Sequence, residues 1–572
     1  MSIDIETYRL KAQEAIEYVF VKEYHNSLGI PMPIVKMLLP DDANYSTGQY
    51  YITIDKTWQI HLNFGKLPIS YHEFQNEVKV LTRHEIEHYM CCPFDVITHF
   101  RMLKRIRDVY YKHFSHLGIN IEYACGAISN QAADIIVDTK NYYRHSKETL
   151  KSEIDWIKIG ANISACPRHC KLMFLTKEAI WKEDLGINET DPEFLKIVHQ
   201  LADSFTKNGI EDKSSFLDKV EEYAEIFFKL YVEDQKNPQQ SSQQGSQQQS
   251  GQQGPQQQSG QQGSQQQSGQ WGVGRPKDGD EHGNAFVFAD PDKVKEAIEV
   301  LAEETSVEEF IDLLAIAGII GMSDKQKGVL WFNVQSANII PIVEFSNTGN
   351  KSSYTYPSVW RIGDPIEELD LMLTYMTSPR LIPGMTTKKW GYVSNDDNGT
   401  ESKQMDLLLV VDTSGSMGSA MKESANMHQA VLASYGILSY FESTKSKVAF
   451  IGFSDKIDAY VDWSDKYDDV RERLLTNGHG GTKFPISRIK STLDVRSRDL
   501  VTVLITNGDL GNINDSVSYF RDYLNDDNKL YIFLLGGSKS LHSYEPLKNI
   551  GAKIYNANNA NDFCDMVLTD ME

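Results

Sequence analysis

Basic residues are scarce in this chain. Lys and Arg number 57 against 79 Asp and Glu, which gives a formal net charge of −22 and a pI near 5.2. A surface of that sign repels phosphate backbones and anionic headgroups, so a broad nucleic-acid or membrane-surface interface is excluded. Cysteine is also sparse. Six in 572 residues, at 91, 92, 125, 166, 170 and 564, do not form a disulfide framework. The "CPRHC" stretch (166–170) has no second half for a metal site, and its thiols read as ordinary ones. No apolar run reaches about 18 residues, so no membrane helix is expected. The opening "MSIDIETYRL" lacks the basic region and apolar run of a secretion signal. These absences lead to the expectation of a soluble, cytoplasmic protein. Its 41% hydrophobic content is enough for real cores, and its length suggests roughly three to five domains.

What is abundant is glutamine, in one place. From Gln235 to Gln270 the chain is almost only Gln, Ser, Gly and Pro, and a nine-residue unit recurs as "QQGSQQQSG", "QQGPQQQSG" and "QQGSQQQSG" (243–269). Such a segment cannot bury enough apolar surface to offset the entropy of ordering. It reads as a flexible linker, 235–283, whose low-complexity part spans roughly 30–36 Å root-mean-square. Before it, 1–234 reads as an α+β domain, with paired strands in "GQYYITID" and "TWQIHLNF" (48–64) and a helix over 72–90. After it, 284–395 is a mixed helical and strand connecting region. "DPDKVKEAIEVLAEE" reads as a helix with Pro291 in its first turn, and "SVEE" (306–309) as a capping box opening another. From 396 to 572, the apolar strands "MDLLLVVD", "KVAFIGFS", "LVTVLITN" and "KLYIFLLGG" alternate with helical stretches. That alternation predicts an α/β domain, a parallel sheet with helices on both faces.

Two short motifs carry chemistry. In "LTRHEIEHYM" (81–90), His84 and His88 stand four apart beside Glu85. On a helix, residues i and i+4 share a face, about 5–6 Å apart at Cβ, so both imidazoles can grip one ion. Neutral imidazole suits zinc, which lowers the pKa of a bound water toward 7 for a neighbouring carboxylate to deprotonate. Glu85 is that base. The competing reading is a charged, solvated helix face. For a third ligand, "ISNQAADIIVDTKNYY" (128–143) offers Asp134 and Asp138, one turn apart. Asp134 is favoured because Ala132 and Ala133 beside it suggest tight packing; Asp138 is the reserve ligand or a supporting partner. The second motif, "DTSGSMG" (412–418), follows an apolar strand. Asp412, Ser414 and Ser416 can aim one carboxylate and two hydroxyls at a hard cation, and oxygen ligands of this kind suit Mg²⁺.

The HExxH helix following two strands resembles zincin peptidases. It departs from them at Glu87, where that family usually has an uncharged residue. The metzincin subclass is excluded, since Cys91 and Phe94 stand where it has glycine and a ligand. The segment 403–572 resembles von Willebrand factor type A (vWA) domains with their metal-ion-dependent adhesion site. That resemblance implies a further ligand, Thr482, from "GHGGTKF" (478–484), and a third loop that usually reads Thr-Asp-Gly. Here it reads "TNGD" (506–509), with Asn507 in the acidic position, so one negative charge is gone, and the sequence leaves open whether Asp509 compensates.

The whole layout resembles a family of bacterial metallopeptidase-like proteins whose relatives act with AAA+ ATPases of the MoxR type. It implies a zinc metallopeptidase, with Zn²⁺ at His84, His88 and Asp134, and a vWA domain that recruits a protein substrate or partner through Mg²⁺ at Asp412, Ser414, Ser416 and Thr482. The alternative is a non-catalytic metal-binding adaptor that couples an AAA+ ATPase to client proteins. A nuclease using the same ligands fits the acidic surface poorly.

Overall fold

A computed structural model of the chain describes residues 5–42, 45, 50–54, 58–64, 70–159, 163–236, 290–319, 322–337, 358–359, 369–370, 388–389, 405–496, 499–508, 510–526, 528–536 and 542–557. The expected linker, apart from its first two residues, lies outside them, as do Cys564 and Asp509. The chain forms two compact units. One comprises Met1–Glu304 with Asp312–Gly321, the other Thr305–Ile311 with Met322–Glu572.

In the first unit a three-stranded sheet has the order β1 (Ile34–Met37), β3 (Gln59–Phe64), β2 (Tyr50–Ile54). β2 and β3 form the antiparallel pair that their alternating apolar residues suggest, and β1 adds parallel to the other side of β3. Ile60 and Leu62 of β3 share a core with Ala12 and Ile16 of α1 (Ile5–Glu17) and with Phe74, Val78 and Ile86 of α2 (Tyr71–Met90). Ser70 starts α2 by accepting the Glu73 amide at 3.3 Å and donating to its carboxylate at 2.9 Å. α2 buries its other side against α4 (Ile121–Ile159), which is interrupted at His145 (φ −137°, ψ 48°). α3 (Val96–Val109) and α5 (Arg168–Trp181) also pack on α4.

In the second unit Ser306 and Glu309 form the capping box reciprocally, each side chain accepting the other's amide at 3.2 Å. Short strands β4 (Ser358–Val359), β5 (Leu369–Asp370) and β6 (Lys388–Lys389) pair in the order β4–β6–β5. The main sheet has six strands in the order β12 (Lys553–Ala557), β11 (Lys529–Leu535), β10 (Leu500–Thr506), β7 (Asp406–Asp412), β8 (Val448–Phe453), β9 (Ile457–Ser464). All neighbours are parallel except β8 and β9. The buried runs of β7, β8, β10 and β11 follow from coverage on both faces. Leu408, Val410, Ala449, Ile451, Leu504 and Ile532 pack on helices 486–493 and 517–525. The residues of opposite parity, such as Leu409 and Phe450, are equally buried, and helix Asn426–Ser443 packs on β7 from that side.

The chain enters this sheet at β7, builds outward to β8 and β9, then returns to the other side of β7 for β10, β11 and β12. The winding direction therefore reverses between β7 and β10. In open α/β sheets that reversal leaves a crevice beyond the carboxyl ends of the strands, where ligands bind. Asp412 ends β7 and Thr506 ends β10. No helix among the described residues is long and apolar enough to cross a membrane.

Leu408 lies fully buried mid-strand. Leu408→Ala should destabilise the second unit by about 2–5 kcal/mol, read as a lowered denaturation midpoint.

Candidate functional sites

α2 and α4 meet through two i,i+4 pairs. His84 and His88 come from α2, Asp134 and Asp138 from α4. The Nε2 atoms of the two histidines are 3.0 Å apart. Asp134 Oδ1 lies 3.1 Å from His88 Nε2 and 3.4 Å from His84 Nε2. Among the described residues this is the one group of three or more His, Cys, Asp or Glu whose ligand atoms converge within 4.8 Å. His84, Glu85, His88 and Asp134 are 4–7% exposed, so the helix face is not solvated.

The outer ring nitrogens are also held. His84 Nδ1 donates to Asp138 Oδ1 at 2.7 Å, and His88 Nδ1 donates to the Cys92 carbonyl at 2.9 Å. Those bonds turn both Nε2 atoms inward. Two inward lone pairs and a carboxylate repel one another unless a cation lies between them. A proton is one solution. Burial disfavours the His88 imidazolium, but its bond to Asp134, the charge of Glu85 and the Cys92 carbonyl outweigh it, and its pKa rises to about 9. Burial likewise opposes the Asp134 carboxylate, yet the two imidazoles hold its pKa below the usual range. A metal ion is the other solution. Zinc bonds of about 2.0–2.2 Å in a tetrahedron set ligand atoms roughly 3.3–3.6 Å apart, close to the separations found. The donor set of two imidazoles and one carboxylate, with its outer hydrogen bonds in place, fits such an ion, which must displace the His88 proton.

Asp138 faces the site only through His84. Its other oxygen accepts from Lys177 Nζ of α5 at 3.0 Å, and Lys177 also pairs with Glu153. Burial raises the pKa of Glu153, Lys177 only partly opposing it, while Lys177 and His84 overcome burial to keep Asp138 well below the usual range. Glu87, the departure from the zincin pattern, is fully buried elsewhere. It accepts from the Tyr24 hydroxyl at 2.9 Å and from Arg144 at 3.0 Å, and Lys140 Nζ lies 2.8 Å away. On the same flank, Arg83 pairs with Glu23 at 2.6 Å and with Glu148. In "CPRHC", neither Cys166 nor Cys170 forms a disulfide among the described residues, and His169 is bonded to Asp234 at 2.9 Å.

The second cluster sits at the sheet's reversal point. Asp412 is fully buried and accepts the Ser414 amide at 2.9 Å and the Thr506 hydroxyl at 2.7 Å. The Ser414 and Ser416 hydroxyls are 3.1 Å apart. Ser416 donates to Asn507 Oδ1 at 3.1 Å, and Asn507 Nδ2 returns a bond to the Ser416 carbonyl at 2.8 Å. Gly418 turns the loop with φ +77°, and a Cβ there would lie 2.9 Å from the Ala425 Cβ. The loop carrying Thr482 lies alongside: the Gly480 carbonyl accepts the Gly415 amide at 3.4 Å, and a Cβ on Gly478 would strike the Thr413 carbonyl at 2.6 Å. Thr482 itself makes no hydrogen bond to the Asp412 cluster among the described residues.

Sequence reading passed over Thr506, Lys177, Glu153 and the Cys92 carbonyl. Thr506 had a signal, the polar end of a buried strand next to Asn507. So did Lys177, the one charge in "LMFLTK".

Compared with protein-family models and with curated proteins, the sequence matches none.

The geometry separates the two aspartates. Asp134→Ala should abolish tight binding of a divalent transition metal by the purified apo-protein, whereas Asp138→Ala should weaken it about 10–100-fold. Competition titration against a chromophoric chelator checks this; the reverse ranking would exchange the two roles.

Proposed function

We propose that the chain is a zinc-dependent peptide hydrolase whose second unit binds a protein partner or substrate through Mg²⁺. The carrying observation is the convergence of two inward imidazole nitrogens and one carboxylate within 3.4 Å, beside the buried Glu85. His84, His88 and Asp134 would hold zinc, which when bound polarises a water molecule and lowers its pKa toward neutrality. Glu85 would be the general base that accepts a proton from the attacking water and returns it to the leaving amine. Asp138 and the Cys92 carbonyl keep the imidazoles aimed. In the second unit, Asp412, Ser414, Ser416 and Thr482 would supply oxygen ligands to Mg²⁺, and the ion would supply positive charge for an acidic side chain of the partner. A zincin-like first domain and a vWA-like second domain fit this division of labour, and a MoxR-type AAA+ ATPase is the partner class that the domain order favours.

The low exposure of the ligand set favours a second reading. Structural metal sites are closed, whereas catalytic ones keep an open position. On that reading the ion is structural and the chain is an adaptor between an ATPase and its clients. Bound zinc with no cleavage of any protein supports the adaptor.

Glu85→Gln tests the hydrolase. It should retain zinc and lose about 10²–10⁴ in cleavage rate; a variant as fast as wild type ends this mechanism.

Asn507→Asp tests the second site. The added charge should tighten Mg²⁺ binding in calorimetric titration. Without Mg²⁺ it should lower the melting temperature, because a carboxylate then faces the Ser416 carbonyl that the Asn507 amide now bonds. Unchanged Mg²⁺ affinity would mean that another group already supplies the charge.

A further inference from the structure

Lys177 is a poor candidate for a merely structural lysine. Its side chain is 2% exposed on α5, and its ammonium has been carried into the interior between two carboxylates of α4, Asp138 and Glu153. Burying an ammonium is costly unless it is paired and hydrogen-bonded, and a methionine of similar volume would fill the same space between Phe174 and Trp181, whose rings it also approaches. What the charge adds is its reach. Lys177 Nζ bonds Asp138 Oδ2 at 3.0 Å, and the other oxygen of that carboxylate accepts His84 Nδ1–H at 2.7 Å. The three groups form one chain, with the histidine Nε2 at its inner end, 3.0 Å from His88 Nε2.

We propose that Lys177 is a positioning residue for the metal site: its ammonium fixes the Asp138 carboxylate, which holds the His84 ring in the tautomer and orientation that point Nε2 at the ion. The proposal rests on the reading of His84, His88 and Asp134 as metal ligands, but not on peptide hydrolysis. It follows from geometry. A carboxylate with one oxygen anchored by Lys177 cannot swing away from the imidazole, whereas an Asp138 stripped of that anchor is free to turn and release the His84 ring. Partners that orient ligating imidazoles in this way typically change metal affinity about 10–100-fold.

The test is a double-substitution cycle in the full chain, read by zinc affinity of the apo-protein and by the visible spectrum of its Co²⁺ form. Lys177→Met and Asp138→Asn should each weaken zinc binding, Lys177→Met by about 10–100-fold, and shift the Co²⁺ bands. The doubly substituted protein should bind no more weakly than the weaker single variant, because Lys177 acts only through Asp138. A purely structural lysine would leave the Co²⁺ bands in place, and its effect would add to that of Asp138→Asn. Wild-type zinc affinity in Lys177→Met, or additive losses, overturns the proposal. If Lys177→Met fails to fold, Lys177→Gln, uncharged but still a donor, must show the same non-additive loss. Wild type that binds no zinc overturns both this inference and the hydrolase. Wild type that binds zinc, cleaves nothing and shows the non-additive loss removes the hydrolase alone.

Discussion

The first unit depends on how charge is compensated between two helices. α2 and α4 bury Arg83, Glu87, His84, His88, Asp134, Asp138 and Lys140 against each other, a composition that water would ordinarily keep at the surface. Each group is tolerated because it has a partner within hydrogen-bonding reach. The arithmetic is uneven at one point. Beside the two imidazoles lie Glu85, Asp134 and Asp138, with Glu153 behind them, and Lys177 is the fixed cation paired with Asp138 and Glu153. A buried cluster with that imbalance attracts positive charge, whether protons on His88 and Glu153 or a divalent ion. The convergence of donor atoms that could hold a cation is thus a product of the helix packing itself.

The two candidate sites solve the same problem differently. The first converges side chains from separate helices, so its geometry depends on tertiary packing and on supporting partners from a third helix. The second is built into one short loop at the place where the sheet reverses its winding. There one backbone amide and two side chains at the end of β10 do the positioning: the Ser414 amide and the Thr506 hydroxyl hold the Asp412 carboxylate, and Asn507 clips the far end of the loop. A loop of that kind needs only the β7–β10 pairing to be correct, and the two strands are parallel and buried throughout except at Asp406.

Local patterns with a strong period were readable in the sequence. The HExxH helix, the β2–β3 pair, the Ser306 capping box and four strands of the large sheet all follow from spacing and composition. β1, β9 and β12 did not stand out, since short or half-exposed strands lack a long apolar run. His84 and His88 could be nominated from i,i+4 spacing, because that spacing fixes which residues share a face, and Asp134 from the small residues Ala132 and Ala133 beside it. The pairing of Asp138 with Lys177 could not, as 39 residues separate them and only the packing of α4 on α5 brings them together. Glu87 shows the opposite limit. As a sequence letter it counted against the motif; in the fold it is an anchor.

Arg83 and Glu87 occupy the row next to His84 and His88 on α2. Successive residues of an α-helix are about 100° apart, so the two rows are flanking stripes of one cylinder. The Arg83–Glu87 stripe is tied on several sides, to Glu23 and Tyr24 from one segment and to Lys140, Arg144 and Glu148 from another. The break in α4 at His145 lies between Arg144 and Glu148, the points where these ties attach. The result is a keyed shaft: axial rotation of α2 would stretch ties on one side while compressing the other, so the bearing of both imidazoles is set by ion pairs that never touch them.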